Sequence, residues 1–279
     1  MRRSSSAAVV PGAVAAGAVA LATAGLLAAA PPAKGSRPPA LDAARMVDLS
    51  HPFDERTLYW PTATSGFKLQ SLHRGVTPAG FFYAANSFCA PEHGGTHLDA
   101  PVHFADSRQT LDQVPIERLI APAAVIDVTG PAAADADYRL TTQDLAGWET
   151  RHGRIPEGAI VLLRTGWAAR WPDAKRYFGD DTPGDASRLH FPSYGVDAAR
   201  QLVEERRVAV LGVDTASIDY GPSKDFAVHQ VAARANVPGL ENLADLGALP
   251  ESGAWVIALP MKIAGGSGGP VRVVALLPR

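Results

Sequence analysis

Apolar and polar positions follow two rhythms along this chain, and the rhythms assign its elements. Short continuous apolar runs bounded by turn residues read as buried strands. They occur at 124–128 (AVIDV), 159–164 (AIVLLR) and 208–213 (VAVLGV), with further strands at 46–50, 255–259 and 271–277. Between them lie stretches with apolar residues at helical spacing. Residues 141–152 open on Thr-x-x-Asp, carry Leu145 and Trp148, and stop at Gly153, so they read as a capped helix. Residues 196–205 and 226–235 read as two more helices. Gly130-Pro131 is expected to end the 124–128 strand, and the acidic stretch 179–185 to be a solvated loop. Apolar strands between amphipathic helices define an α/β domain with a well covered sheet. No boundary is visible between 45 and 279, so these residues are expected to form one domain.

Residues 1–30 break this pattern. Arg2 and Arg3 are followed by three serines and then an Ala/Val/Leu/Gly run. That order is an export signal, with an uncleaved membrane anchor as the alternative, because the run is nearly long enough to span. Residues 31–44, rich in Pro and Ala, read as a linker. The expected location is periplasmic or extracellular, with membrane contact only through this segment. A net charge of -2, with both signs mixed along the chain, gives no electrostatic case for nucleic acid. The single cysteine, Cys89, rules out an intrachain disulfide and cysteine-based metal sites. Its apolar surroundings predict a buried, inert thiol.

The chemistry concentrates in residues 92–104, EHGGTHLDAPVHF, which hold three of the eight histidines. His93, His97, Asp99 and His103 are the ligand types that zinc or manganese takes. A helix would bring His93 and His97 together but throw Asp99 to the far side, and Gly94, Gly95 and Pro101 oppose a helix. An extended chain puts His97 and Asp99 on one face, about 6.6 Å apart, and leaves His93 about 13 Å from His97. Gly94-Gly95 is therefore expected to fold the chain back sharply, after which His97, Asp99 and His103 share strand parity. A second cluster is expected at 228–242, where His229 lies on a helix and Glu241 follows a turn.

Other candidates are weaker. The run 265–269 (GGSGG) fits the G-x-S-x-G pattern of serine hydrolases. That motif needs a following helix and a later histidine, and neither comes after Ser267. The loop is still expected near the site, because backbone close to a ligand favours glycine. His51 faces either the site or solvent. His73, His152 and His190 are expected at the surface, and Trp148, Trp167, Trp171 and Trp255 in packing roles.

HGGTHLDAPVHF resembles the signature of the cyclase family, which includes bacterial kynurenine formamidases (arylformamidases) and isatin hydrolases. The stretches LSHPFDERTLYWP, GVDTASIDYGPS, HQVAARANVPGLENL and LPMKIAGGSGGPVRVVAL are similar to that family and stand in its order. The resemblance implies a swivelling β/β/α domain with a mixed, barrel-like sheet flanked by helices, in a homodimer or homotetramer. It implies two Zn(2+) ions, or Mn(2+) in isatin-hydrolase-like members. His93, His97 and Asp99 would hold the first ion and His229 the second, with Asp99 and Glu241 bridging. His103 would carry protons, and Trp60 would stack on the substrate. Formamidases usually continue Trp-Pro with Gly-Asp, whereas Trp60-Pro61 is followed here by Thr62-Ala63. The implied activity is hydrolysis of a small aryl amide or lactam by metal-activated water. The alternative is an exported metal- or ligand-binding protein of the same fold without catalysis.

Overall fold

The structure, a computed structural model, describes residues 44–278. The proposed export segment at 1–30 and the linker up to residue 43 lie outside the described residues. Ala44, taken as the end of the linker, instead opens the first strand, β1 (Ala44–Asp48).

The chain then forms a hairpin, β2 (Lys68–Val76) and β3 (Phe82–Cys89), and a short strand β4 (His97–Asp99). Strand β5 (Ile120–Asp127) and helix α1 (Thr129–Ala134) follow. The strand stops just before Gly130-Pro131, as expected, and the pair lies inside the first turn of the helix that follows. Proline is tolerated there because its missing N–H has no intrahelical partner. Next come β6 (Arg139–Leu140) and α2 (Thr142–His152). The expected cap on α2 is present: Thr141 accepts the Asp144 amide, and the Asp144 carboxylate accepts the Thr141 amide. The chain continues through β7 (Ile160–Arg164), α3 (Ala174–Phe178), β8 (Ser193–Tyr194) and α4 (Val196–Arg200), which runs into a π turn to Glu205. It closes with β9 (Val210–Val213), α5 (Ala227–Arg234), β10 (Gly239–Glu241), β11 (Ser252–Pro260) and β12 (Gly268–Pro278).

Eight strands form one mixed sheet in the order β1-β12-β11-β5-β7-β9-β10-β4. Strand β4 pairs with both β10 and the start of β12, so seven strands close into a barrel, with β1 alongside the far end of β12. The apolar runs noted in the sequence are the parallel core β5, β7 and β9. Their alternate residues serve two layers. Val125, Ile160, Leu162 and Val210 fill the barrel together with Val256 and Val273. Ile126, Val161, Leu163 and Leu211 face outward onto Leu145, Trp148, Leu202 and Val228 of the helices. Burial on both faces is why these strands are apolar without alternation.

Expectations about two side chains are changed or settled, and one about a pair of histidines holds. Cys89 is exposed, not buried, because it ends the hairpin rather than entering the barrel. His51 is half-buried and lies flat on Trp171, with ring centroids 4.3 Å apart, outside the cavity described below. His152 and His190 are at the surface as expected, but each has a partner: Glu251 at 2.7 Å and Asp137 at 2.9 Å. Among the described residues, no helix is long and apolar enough to cross a membrane.

Candidate metal centre

Strand β4 is three residues long and has two faces. Leu98 points into the barrel core, while His97 and Asp99 point the other way. The antiparallel pairing of β4 with β10 sets Glu241 directly opposite His97. Cross-strand neighbours in such a pair sit about 5 Å apart, so register alone delivers a carboxylate from 144 residues downstream. His229 arrives from the first turn of α5, packed under the same edge.

The two glycines before β4 do what the sequence required. Gly95 has φ +57, and a Cβ there would come 2.5 Å from the Phe53 ring. A Cβ on Gly94 would lie 2.1 Å from the Tyr59 ring. The chain bends sharply through them and returns the His93 Nδ1 to 2.7 Å from Asp99 Oδ1. His103 reaches the site by a different route from the one expected. The strand ends at Asp99, and Pro101–His103 is a 3-10 turn. The His103 ring nevertheless lies on that of His93, centroids 3.7 Å apart and planes within 15°.

Three imidazoles share one arrangement: the outer ring nitrogen is tied to an acceptor, and the inner one faces carboxylates. His97 Nδ1–H donates to the Gly95 carbonyl at 2.9 Å, so its Nε2 lone pair faces Asp99 Oδ1 at 3.1 Å and Glu241 Oε2 at 3.5 Å. His229 Nδ1–H donates to Asp219 Oδ2 at 2.7 Å, and its Nε2 faces Asp99 Oδ2 at 3.1 Å and Glu241 Oε1 at 3.2 Å. His93 Nε2 is 2.8 Å from Ser267 Oγ. The tied outer nitrogen and free inner nitrogen form the usual support of a metal-ligating histidine. Each carboxylate therefore faces the His97 side with one oxygen and His229 with the other.

Lone pairs turned on anionic oxygens in a buried site repel unless a cation lies between them. The buried Nε2 of His97 has no hydrogen-bond partner. Protons answer the same demand when no metal does. Burial works against a charge on His97, but Asp99, Glu241 and the Gly95 carbonyl outweigh it and raise its pKa to about 9. His229 is raised well above its ordinary value in the same way, against burial, by Asp219, Asp99 and Glu241. Against burial, the charges of His97 and His93 hold Asp99 well below the usual carboxylate range. The donor set of imidazole and carboxylate fits zinc or manganese. Two groups could each hold an ion through Asp99: His97, Asp99 and Glu241, and His93, Asp99 and His103.

The site opens into a cavity of about 250 Å³. Leu58, Trp60, Phe104, Phe178 and Phe226 form its apolar wall, and His93, His97, Asp99, His103, His229 and Glu241 its polar end. Trp60 stands edge-on to Phe191 at 6.4 Å and tilted on Phe226 at 6.0 Å, which fixes its indole in the wall. Phe226 holds a left-handed backbone, φ +50, immediately before α5. Desolvation against the His93 and Phe104 rings lowers the His103 pKa to about 4, although the residue keeps an edge open to solvent, so its ring is neutral at pH 7.

Asp219 was not singled out from the sequence. Its two oxygens accept the amides of Val228 and His229 at 2.9 and 3.0 Å, anchoring α5, while one also fixes the His229 ring. Asn242 was missed as well. Its Nδ2 donates to the Gly95 carbonyl at 2.8 Å, so it holds the acceptor that orients His97. Neither carries a local spacing signal, since the partners lie in other elements, helix α5 for Asp219 and the Gly95 turn for Asn242.

This barrel, with its histidine–carboxylate nest at one edge, belongs to the Cyclase family, whose model matches residues 47–220. The chain is similar to an isatin hydrolase of Roseibium aggregatum, 36% identical over 208 residues, 72% of this chain and 77% of that protein. A kynurenine formamidase of Polaromonas naphthalenivorans is 29% identical over 232 residues, 82% of this chain and 90% of its own. A crystal structure of an isatin hydrolase bound to the product analogue thioisatinate superposes with a TM-score of 0.77 at 32% identity. It covers 85% of this chain and 94% of that one.

Proposed function

We propose that this protein is a metal-dependent hydrolase of small, neutral aromatic amides, with lactam opening of the isatin type preferred over N-formylkynurenine. The observation that carries the reading is the convergence of three imidazole lone pairs on two shared carboxylates at the floor of an aromatic cavity. The likeness to isatin hydrolases and kynurenine formamidases supports the reaction class.

His93, His97, Asp99, His229 and Glu241 would hold Zn(2+) or Mn(2+), with Asp99 and Glu241 shared. A divalent cation there supplies an acidified water and an electrophile for the amide oxygen. The chain's own groups do the rest. Trp60, Phe104 and Phe226 take the substrate's aromatic ring against their faces and edges. The neutral His103 ring accepts the proton released at the attacking oxygen and passes it to the leaving nitrogen.

The cavity also chooses among amides. Its volume falls below the roughly 300 Å³ lower bound of drug-sized sites, which suits a fused bicyclic ring. Among the described residues no lysine or arginine lines the cavity, so a substrate carboxylate finds no ammonium or guanidinium partner there. N-formylkynurenine carries a charged amino-acid tail, and isatin carries none. The test is turnover of isatin, N-formylkynurenine and formanilide by protein loaded with Zn(2+) or Mn(2+). Isatin is expected to give the highest kcat/KM. Absence of turnover with every amide, ester and lactam tried sinks the reading in favour of a binding protein.

We propose also that the chains assemble as a homodimer or homotetramer. The support is the β2–β3 hairpin, whose apolar side chains stay largely exposed, with little cover from their own chain among the described residues.

A further inference from the structure

The glycine-rich loop Gly265–Gly269 packs against His93, and the chemistry above makes no use of it. Ser267 Oγ is 2.8 Å from His93 Nε2, and His93 Nδ1 is 2.7 Å from Asp99 Oδ1. By distance alone this is a serine–histidine–aspartate row, the arrangement that activates a nucleophilic serine.

The protons run the wrong way for that role. Ser267 Oγ is also 2.6 Å from Glu92 Oε2, and the same oxygen accepts the Ser267 amide at 3.1 Å. A carboxylate only accepts, so the hydroxyl proton goes to Glu92. The Ser267 oxygen then accepts from His93 Nε2–H, and the His93 lone pair is left on Nδ1, facing Asp99. An activated serine needs the reverse, with its own proton on the histidine. Ser267 is also not among the residues that line the cavity.

We propose that Glu92 and Ser267 are positioning residues that fix the tautomer, ring plane and donor strength of His93; this rests on the cation-binding function proposed above. The loop is shaped for that contact. A Cβ on Gly266 would lie 2.8 Å from Glu92 Oε1, and one on Gly268 would lie 2.6 Å from His93 Cε1. Both glycines beside Ser267 are therefore required for Glu92 and His93 to close on it. The serine is locked lengthwise too, since its carbonyl accepts the Ala100 amide at 2.8 Å and Gly268 pairs with Asp99. The three histidines thus carry three grades of outer acceptor: a carbonyl on His97, a hydroxyl backed by a carboxylate on His93, and a carboxylate on His229. A stronger acceptor makes the inner nitrogen a better donor to a metal. His93 is the ligand on which the His103 ring rests, so fixing its plane also fixes the seat of the proton carrier.

The test uses Co(2+) binding to full-length wild type, Ser267→Ala and Glu92→Gln, read by competition titration and by visible absorption. Ser267→Ala leaves His93 Nε2–H without its acceptor. It is expected to weaken Co(2+) binding about 10- to 100-fold, the range for outer partners of metal ligands, and to shift the absorption bands. The thermal midpoint of the metal-free protein is expected to hold. Glu92→Gln keeps an acceptor for Ser267 while removing the charge, so its loss is expected to be smaller. Unchanged affinity and spectrum in both variants overturn the proposal. Lost turnover with unchanged affinity in Ser267→Ala also overturns it, because that marks a nucleophile. A wild type that binds no divalent ion overturns the functional reading itself, and this proposal with it.

Discussion

Two stretches of chain less than ten residues apart invert the usual rule of burial. In β4, His97 is 2% exposed, Leu98 0% and Asp99 4%. In the preceding hairpin, Phe81 is 59% exposed, Phe82 62%, Tyr83 50% and Phe88 54%. The polar strand is inside and the aromatic one outside. The difference lies in what surrounds each. Strand β4 is held on both edges, by β10 and β12, so its backbone groups are satisfied and its polar side chains meet one another. The hairpin pairs only with itself. A pair of strands cannot cover its own faces, and buried charges persist only where partners are supplied.

The largest effect is expected from breaking the buried side of this contrast. Asp99 faces all three imidazoles, so Asp99→Asn removes the charge that both groups of donors share. Metal affinity is expected to fall by more than the ~100-fold upper end for outer-shell partners, and turnover to fall below detection. Elemental analysis after dialysis and a rate assay at saturating metal check both. Full metal content in the variant would remove Asp99 from the ligand set.

A smaller effect would separate the proposed ligands from the proposed proton carrier. His103→Ala is expected to lower kcat about 10²- to 10⁴-fold and to leave metal content as in wild type. The His103 ring touches His93 by stacking, and no hydrogen bond to its ring is present among the described residues. If metal leaves with the ring, His103 is a ligand, as its place beside His93 and Asp99 also permits.

The same contrast explains what could be read from the chain. Strands β5, β7 and β9 were legible because burial on both faces leaves a continuous apolar run, and α2 because Thr141 and Asp144 cap it. His93, His97, Asp99 and the Gly94-Gly95 bend were legible because local spacing and backbone geometry constrain one another. Glu241 could be proposed only as a loop acid near a helix histidine, since what places it is the β10–β4 register. Asp219, Asn242, Glu92 and Ser267 were out of reach as site residues. Asp219 bonds His229, Ser267 bonds His93, Asn242 bonds the Gly95 carbonyl that orients His97, and Glu92 bonds Ser267; the fold makes these contacts and no motif spacing records them. Ser267 shows the hazard, because its motif suggested a nucleophile and its protons make it an acceptor. The hairpin went unread for the opposite reason. Its apolar residues answer to no core in their own chain, so neither rhythm marks them.

The hairpin supplies the change expected to disturb the site least. Its register pairs Leu69 with Phe88 and Val76 with Phe82. Phe82 and Phe88 are six residues apart and share a face. Leu69 and Val76 are seven apart and would not, but a bulge between Ser71 and His73 adds the residue that restores their parity. The irregularity therefore gathers four apolar side chains on one face of an exposed ribbon, and a defect that only relieved twist would not need to do so. A second copy of this chain is the occupant that the proposed homo-oligomer supplies, presenting the same ribbon. Val76→Ser with Phe82→Ser changes only the tip, far from the Phe88–Phe67 contact that leads back towards Gly95. In sedimentation velocity the double variant is expected to run as a smaller species than wild type. Its metal affinity is expected to be unchanged, and any loss of thermal stability to depend on protein concentration, as it does when association is what stabilises. Wild type and variant sedimenting alike, as monomers or as the same oligomer, would leave the ribbon without a role in assembly.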